Sequence, residues 1–407
     1  NNKPSSTMVI FGASGDLTKR KLMPALYELY KENRLNEKFV IVGVGRSSYS
    51  DEAYQLYQQE QLQKFVSTEN QDVKLIELFV THLRYVTMDP AKEEDYFKLL
   101  KKLQQIIGDK SPHQLLFYLA TPPSLYGQIP LHLKKVNLNQ KDARIIVEKP
   151  FGYDLESAKE LNKIYASVFE EEQIYRIDHF LGKETAQNIL AFRFANCIFE
   201  PIWNRNYIDY VEVTAVESLG IEKRGGFYDG VGALRDMVQN HLIQLVALTA
   251  MEPPVRFNAD GFRNEVVKVY DSLRPLTQED FEEHIVRGQY IGVNEKQGYR
   301  QEDNVNPQSR TETYIAMKIG IDNWRWSGVP FYIRTGKALP TKVTEIVVHF
   351  KKTPYQMFHC SEGDCPDANK LIIRIQPNEG ILLRFGMKMP GTGFNVKAVD
   401  MNFTYDK

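Results

Sequence analysis

Cysteine is scarce, with three residues in a chain of 407. So small and odd a number cannot build a disulfide framework, which excludes the small secreted scaffolds and points to a reducing compartment, the cytosol. Excess charge is also lacking: 51 Lys and Arg stand against 52 Asp and Glu, a formal net charge of −1. With no global field to hold nucleic acid or an anionic membrane, neither is an expected partner, and any anionic ligand must be gripped locally. Long apolar runs are missing too. The start of the chain leads only into Met8–Phe11, far too short an apolar run for a signal peptide. The most apolar later stretch, Leu242–Met251, is broken by Gln244 and falls well short of the ~20 residues that cross a bilayer.

What remains is an ordinary globular composition, 43% hydrophobic and 25% charged, unlike that of disordered or collagen-like chains. At about 150 residues per domain, the length implies two to three domains. Strand-length apolar runs at Met8–Phe11, Phe39–Val44, Leu115–Leu119 and Ile145–Val147 alternate with helix-period stretches such as Lys19–Tyr30 and Glu52–Phe65. That alternation predicts βαβ units and a mostly parallel sheet. After about residue 178 the pattern changes. Two helical stretches, Lys183–Asn196 and Val231–Met251, flank an alternating strand at Val211–Glu217. Alternating segments then recur at Tyr314–Ile319, Phe331–Arg334, Glu345–Phe350, Leu371–Ile375 and Ile381–Phe385, the pattern of an antiparallel sheet with one wet face. The expected architecture is an α/β Rossmann-like doubly wound domain over residues 1–178, followed over 179–407 by an α+β domain with a large, mainly antiparallel sheet. No fixed-period repeat or low-complexity tract interrupts it.

Five segments carry candidate chemistry. Gly12-Ala13-Ser14-Gly15-Asp16-Leu17-Thr18 lies between the first strand and the first helix, where glycines permit a tight turn and free N–H groups attract phosphate. The Gly-Lys-[Ser/Thr] ending of a Walker loop is absent and the spacing departs from Gly-x-Gly-x-x-Gly, so a plain strand-to-helix turn stands as the other reading. After the second strand, Val42-Gly43-Val44-Gly45 leads into Arg46, a fixed cation suited to the 2′-phosphate of NADP, or else a solvated surface arginine. Arg144–Pro150 is a strand ending in Glu148 and Lys149 at the expected carboxyl edge of the parallel sheet. The Lys149-Pro150 bond there is a candidate for the cis form.

The fourth segment, Tyr175–Glu184, packs Asp178, His179 and Lys183 into six residues before a helix, a phosphate pocket or an exposed charged turn. The fifth, Leu234–Leu242, sets Asp236, Asn240 and His241 in an apolar helix, where polar groups are costly without a partner or a task. In an α-helix Asp236 and Asn240 share a face, while His241 lies about 140° round the axis from Asp236. Spacing therefore does not join that pair. His359, Cys360 and Cys365 form a single Cys-x4-Cys with a neighbouring histidine and no second ligand pair, so no metal site is expected.

Taken together, Gly12–Lys21, Arg144–Gly152, Arg176–Glu184, Arg193–Asn196, Pro201–Asn204, Arg235–Leu242, Gly328–Phe331 and Arg334–Leu339 resemble the glucose-6-phosphate dehydrogenase family, in the family's order and over almost the whole chain. The segment Ile177-Asp178-His179-Phe180-Leu181-Gly182-Lys183-Glu184 is the most specific of them. The resemblance implies oxidation of glucose 6-phosphate to the 6-phosphogluconolactone with hydride transfer to NADP, or more weakly NAD, as the first step of the oxidative pentose phosphate pathway. It implies a homodimer or dimer of dimers. It makes His241 the general base for the C1 hydroxyl and Asp178 its supporting carboxylate. His179 and Lys183 hold the substrate phosphate with Lys342 near it, and Glu217, Asp236 and Lys337 bind the sugar. Lys149 stands between sugar and nicotinamide. Gly12, Ala13, Ser14, Gly15, Asp16, Leu17, Thr18, Arg46 and Tyr126 bind the cofactor.

Two features depart from the family. Phe180 stands where many members carry tyrosine, which implies weaker phosphate binding. The family's chain ordinarily continues past the strand at Met401–Tyr405, so part of the C-terminal segment is expected to be missing. Two other readings compete: a dehydrogenase of an unphosphorylated sugar in the Gfo/Idh/MocA-like group, and a catalytically silent NADP-binding protein.

Overall fold

Val9, Ile10 and Phe11 are consecutive and all fully buried, so the strand that carries them is covered on both faces, as in the middle of a parallel sheet. That strand is β1, Ser5–Phe11. The computed structural model describes residues 5–35, 38–108, 113–178, 184–293, 297–355, 357–358, 368–391, 394 and 396–404, with the side chains of 184–186 excepted. The chain divides into two compact units, Asn1–Asp178 and His179–Lys407.

In the first unit, β1 is joined by β2 (Phe39–Gly45), β3 (Leu83–Thr87), β4 (His113–Leu119), β5 (Ala143–Val147) and β6 (Ile174–Arg176) in the order β3-β2-β1-β4-β5-β6. Every pair is parallel. The order reverses between β1 and β4, which opens a crevice beyond their carboxyl ends where doubly wound folds take ligands. Helices α1 (Met23–Lys31), α2 (Asp51–Phe65), α3 (Val73–Val80), α4 (Tyr96–Ile107), α5 (Gln128–Lys135) and α6 (Leu155–Ala166) lie between the strands. Two apolar clusters form this unit's core, one around Phe117, Leu99 and Ile129 and the other around Tyr27, Tyr54 and Phe79. β3 escapes the strand pattern because Arg84 and Thr87 break Leu83–Thr87 so that no three apolar residues run together, as Ile145–Val147 do in β5.

The second unit is an eight-stranded sheet. β7 (Ile208–Val216), β8 (Ile285–Gly288), β9 (Tyr314–Ile319), β10 (Phe331–Gly336), β11 (Val343–Phe350), β12 (Lys370–Gln376), β13 (Gly380–Lys388) and β14 (Val396–Thr404) run in the order β14-β13-β12-β11-β7-β10-β9-β8. The antiparallel expectation holds for every neighbouring pair except β7 and β10, which are parallel. The long, largely helical excursion between them supplies the crossover that a parallel pair requires. One core cluster joins Val211, Val213, Phe331, Ile333, Ile346 and Ile373 of the sheet to Leu242, Leu245 and Val246 of the helical layer.

The helix expected as continuous over Val231–Met251 is wound in two ways. Leu234–Leu242 is π-helical and Ile243–Ala250 is α-helical. The first helix of the chain likewise opens with a π-helical turn, Thr18–Leu22, ahead of α1. π-helical segments are rare and recur at functional sites. Both of these fall on segments singled out above for their chemistry.

Candidate active site

The glycine loop folds back on β2. Gly12 and Ala13 both donate N–H bonds to the carbonyl of Val44 at 3.0 Å, Gly15 donates to Gly12 O at 3.0 Å, and the Thr18 hydroxyl closes the loop on the same oxygen at 2.9 Å. Gly12 has φ +88°, and a Cβ there would meet Ala120 O at 2.2 Å, so glycine is required by both conformation and clearance. At Gly15 a Cβ would meet only Gly12 O within 4 Å, at 3.1 Å, leaving open space above the loop. The Ser14 N–H makes no backbone hydrogen bond among the described residues. An arrangement of this kind can take an anion: close backbone approach, an N–H group with no backbone partner among the described residues, and the start of a helix. Asp16 and Leu17 are exposed, and a hydrogen bond from Lys19 holds the Asp16 carboxyl below its ordinary value.

Arg46 follows β2 directly and is exposed. The glycines before it serve packing. A Cβ on Gly43 would strike the Tyr54 ring at 2.6 Å and one on Gly45 the Tyr85 hydroxyl at 2.7 Å, so these two glycines make room for aromatic rings. On the other side of the switch point, Lys149 is half-buried after β5 and its bond to Pro150 is cis. Glu148 accepts a 2.6 Å hydrogen bond from Tyr118. Tyr126 is buried, and burial first, with the Glu148 charge second, pushes its hydroxyl well up and keeps it protonated. Asp178 lies half-buried, just beyond β6.

In the second unit the parallel pairing of β7 and β10 places their carboxyl ends side by side. Glu217 N–H donates to Gly336 O at 2.9 Å, and the Lys337 ammonium then pairs with the Glu217 carboxylate. Lys337 is 8% exposed and also sits 6.0 Å from the centre of the Tyr228 ring. Asp236 is 8% exposed, with the Arg224 guanidinium 3.7 Å away. His241 is 2% exposed, five residues further along the same π-helix.

That winding overturns the angular relation expected from α-helical spacing. Hydrogen bonds to the fifth preceding residue widen the turn to about 4.4 residues, so each residue advances about 82° and His241 falls about 50° from Asp236 instead of about 140°. Asp236 and His241 therefore share a side of their helix. Asn240 stabilises the wide turn by donating to Arg235 O at 2.8 Å, again five residues back. At the start of the helix, Glu312 accepts from the Leu234 N–H at 3.0 Å through its carboxylate, and from Ala233 N–H at 3.0 Å through its backbone oxygen. Gly232, at φ +74°, gives this carboxylate its space, since a Cβ would lie 2.6 Å from Oε1.

Three comparisons bear on what these residues belong to. Residues 9–188 match the family model described as glucose-6-phosphate dehydrogenase, NAD binding domain, and residues 190–407 match the model of the same family's C-terminal domain. The chain belongs to the glucose-6-phosphate dehydrogenase family. A glucose-6-phosphate 1-dehydrogenase of Aggregatibacter actinomycetemcomitans is 53% identical over 98% of this chain and 81% of its own length, and that of Treponema pallidum is 47% identical over 98% and 79%. A solved glucose-6-phosphate dehydrogenase in complex with its substrate glucose 6-phosphate superposes with a TM-score of 0.89 at 38% identity, covering 99% of this chain and 82% of that one. The Mycobacterium avium enzyme gives 0.86 at 37%, with 99% and 83% covered.

Among glucose-6-phosphate dehydrogenase family residues named from the sequence, His179, Lys183 and Phe180 lie outside the described residues, as do His359, Cys360 and Cys365. Lys342 is exposed on the segment after β10. Sequence reasoning missed Arg224, Tyr228 and Glu312. Tyr228 is buried, and its hydroxyl finds no hydrogen-bond partner among the described residues. Burial first, then the charges of Asp236 and Glu312, push that hydroxyl far up, so it stays a neutral donor. Among the described residues no helix is long and apolar enough to cross a membrane.

Proposed function

We propose that this chain oxidises glucose 6-phosphate at C1 to 6-phosphogluconolactone with NADP as hydride acceptor. The observation that carries the reading is the family match over both halves of the chain, with relatives about half identical to it. The same match favours a phosphorylated over an unphosphorylated sugar. The glycine loop fits a dinucleotide phosphate, because Gly12 permits close backbone approach and Ser14 offers an N–H group. The bound cofactor supplies the hydride acceptor.

The chain's own residues do the rest. His241 accepts the proton of the C1 hydroxyl, a task for which an imidazole near neutral pH is suited, and Asp178 is its supporting carboxylate. Lys337, Glu217 and Asp236 hold the sugar hydroxyls. The buried Lys337 ammonium and the half-buried Glu217 carboxylate paired with it offer a donor and an acceptor already held in place when substrate arrives. Lys149 bridges sugar and nicotinamide, while His179, Lys183 and Lys342 take the phosphate. Gly12, Ala13, Ser14, Gly15, Asp16, Leu17 and Thr18 cradle the dinucleotide, with Tyr126 beside it. Arg46 prefers NADP because an exposed guanidinium pairs with a 2′-phosphate bidentately. Residues 1–178 are accordingly the cofactor domain and 179–407 the substrate and dimerisation domain. A cytosolic homodimer completes the reading, in keeping with the few cysteines.

The test is the absorbance of reduced nicotinamide in four mixtures: glucose 6-phosphate or glucose, each with NADP or NAD. Turnover with glucose 6-phosphate and NADP well above the other three is expected. Equal rates with glucose overturn the substrate assignment, and silence in all four overturns the enzyme.

A further inference from the structure

Gln58 on α2 is fully buried, and its Oε1 finds no hydrogen-bond partner among the described residues. An enclosed amide oxygen without a partner costs stability, so apolar packing alone does not account for a glutamine at this position. Its Nε2 donates in two directions, to Ala13 O at 3.2 Å and to Tyr54 Oη at 3.0 Å. Tyr54, four residues earlier on the same helix and also fully buried, donates to the same Ala13 carbonyl at 3.4 Å. Burial pushes the Tyr54 hydroxyl far up, so it remains a donor throughout the accessible pH range. Its ring occupies the slot that Gly43 leaves open in β2.

We propose that Tyr54 and Gln58 are positioning residues that latch the Ala13 carbonyl inward and thereby aim the Ser14 N–H outward at the cofactor's phosphates. The Ala13–Ser14 peptide is trans, and in a planar trans peptide C=O and N–H point in opposite directions. Two buried donors on the carbonyl side fix the direction of the N–H on the other. The N–H of Ala13 itself is held by Val44 O at 3.0 Å, so both ends of this residue are anchored. The latch acts on what NADP and NAD have in common, unlike Arg46, whose effect is confined to the 2′-phosphate. The inference rests on the reading that the glycine loop holds the cofactor.

The experiment compares Tyr54→Phe, Gln58→Met and the double variant with the parent, by dissociation constants for NADP and for NAD, the KM for glucose 6-phosphate, kcat at saturating cofactor, and Tm. Both substitutions keep ring or chain length and remove the donors. The double variant is expected to bind both cofactors about fivefold to tenfold more weakly, by the same factor for each, with the sugar KM and kcat within twofold of the parent. Unchanged cofactor binding in a double variant of parental Tm overturns the latch. So does a loss confined to NADP, or a parallel rise in the sugar KM. If the double variant does not fold, Tyr54→Phe alone decides, since its ring still fills the Gly43 slot: unchanged affinity for both cofactors overturns the proposal. Gly15→Val, which fills the open space above the loop, separates the premise from the inference. If it leaves both affinities intact, the loop does not hold the cofactor and the latch falls with it. If it weakens both while the latch variants do not, only the latch is rejected.

Discussion

Lys337 and Glu217 are ion-paired across the ends of two neighbouring parallel strands, although 120 residues separate them in the chain. An ammonium this deeply buried needs its carboxylate. Lys337→Met is expected to raise the KM for glucose 6-phosphate about tenfold or more, while leaving the NADP dissociation constant within twofold. Steady-state kinetics with each substrate varied in turn checks this, and equal losses for sugar and cofactor would contradict it.

His241→Asn keeps a polar side chain of similar size in a buried position but cannot take up a proton. The expected result is a fall in kcat of about 10²–10⁴-fold, with the KM for glucose 6-phosphate changed by less than about threefold. Undiminished turnover would remove His241 from the role of base.

Arg46→Ala is expected to weaken NADP binding by about tenfold or more and leave NAD binding unaltered, because only the 2′-phosphate distinguishes the two. Fluorescence titration with each reduced dinucleotide reads the ratio directly. The same loss for both cofactors would reject a 2′-phosphate role.

Gly232→Ala introduces a Cβ 2.6 Å from the Glu312 carboxylate at a residue with φ +74°. The strain is of order 1–3 kcal/mol. Thermal denaturation should show it as a Tm lowered by several degrees, at about 2–4 °C per kcal/mol. Because Glu312 caps the helix that carries Asp236 and His241, kcat is expected to fall as well.

Burial pushes the Asp229 carboxyl up, but hydrogen bonds from Ser309, Tyr299 and the Asn306 N–H outweigh it and hold the group below its ordinary 3.8. A carboxyl lowered in the folded state contributes stability that is fully present above pH 3.8 and is lost as the pH falls below that value. Asp229→Asn should therefore lower Tm at pH 7 and flatten the decline of Tm below about pH 4, measured across a series of buffers.

The parallel domain was legible because fully buried strands write themselves as unbroken apolar runs, as in Met8–Phe11 and Phe39–Val44. The glycine loop was legible too, since glycines set between a strand and a helix serve few purposes besides a tight turn and close approach to a ligand. The sequence pattern could not reveal that Gly43 and Gly45 serve Tyr54 and Tyr85, since the rings that need the space come from α2 and β3. The Lys337–Glu217 pair was equally hidden. It depends on one parallel pairing inside an otherwise antiparallel sheet, a long-range choice that alternation does not record. The relation of Asp236 to His241 was misjudged for a local reason: apolar spacing near 3.6 residues does not distinguish an α-helix from the wider turn found here.

That wider turn makes the segment sensitive to length in an unusual sense. A π-helix accommodates more residues per turn than an α-helix does, so removing one residue between Asp236 and His241 leaves them four apart, still facing the same way in an ordinary α-helix. Point substitutions probe what each side chain contributes. A single-residue deletion at Gln239 keeps both side chains and changes only the pitch beneath them, so its effect on turnover isolates the contribution of the backbone winding itself.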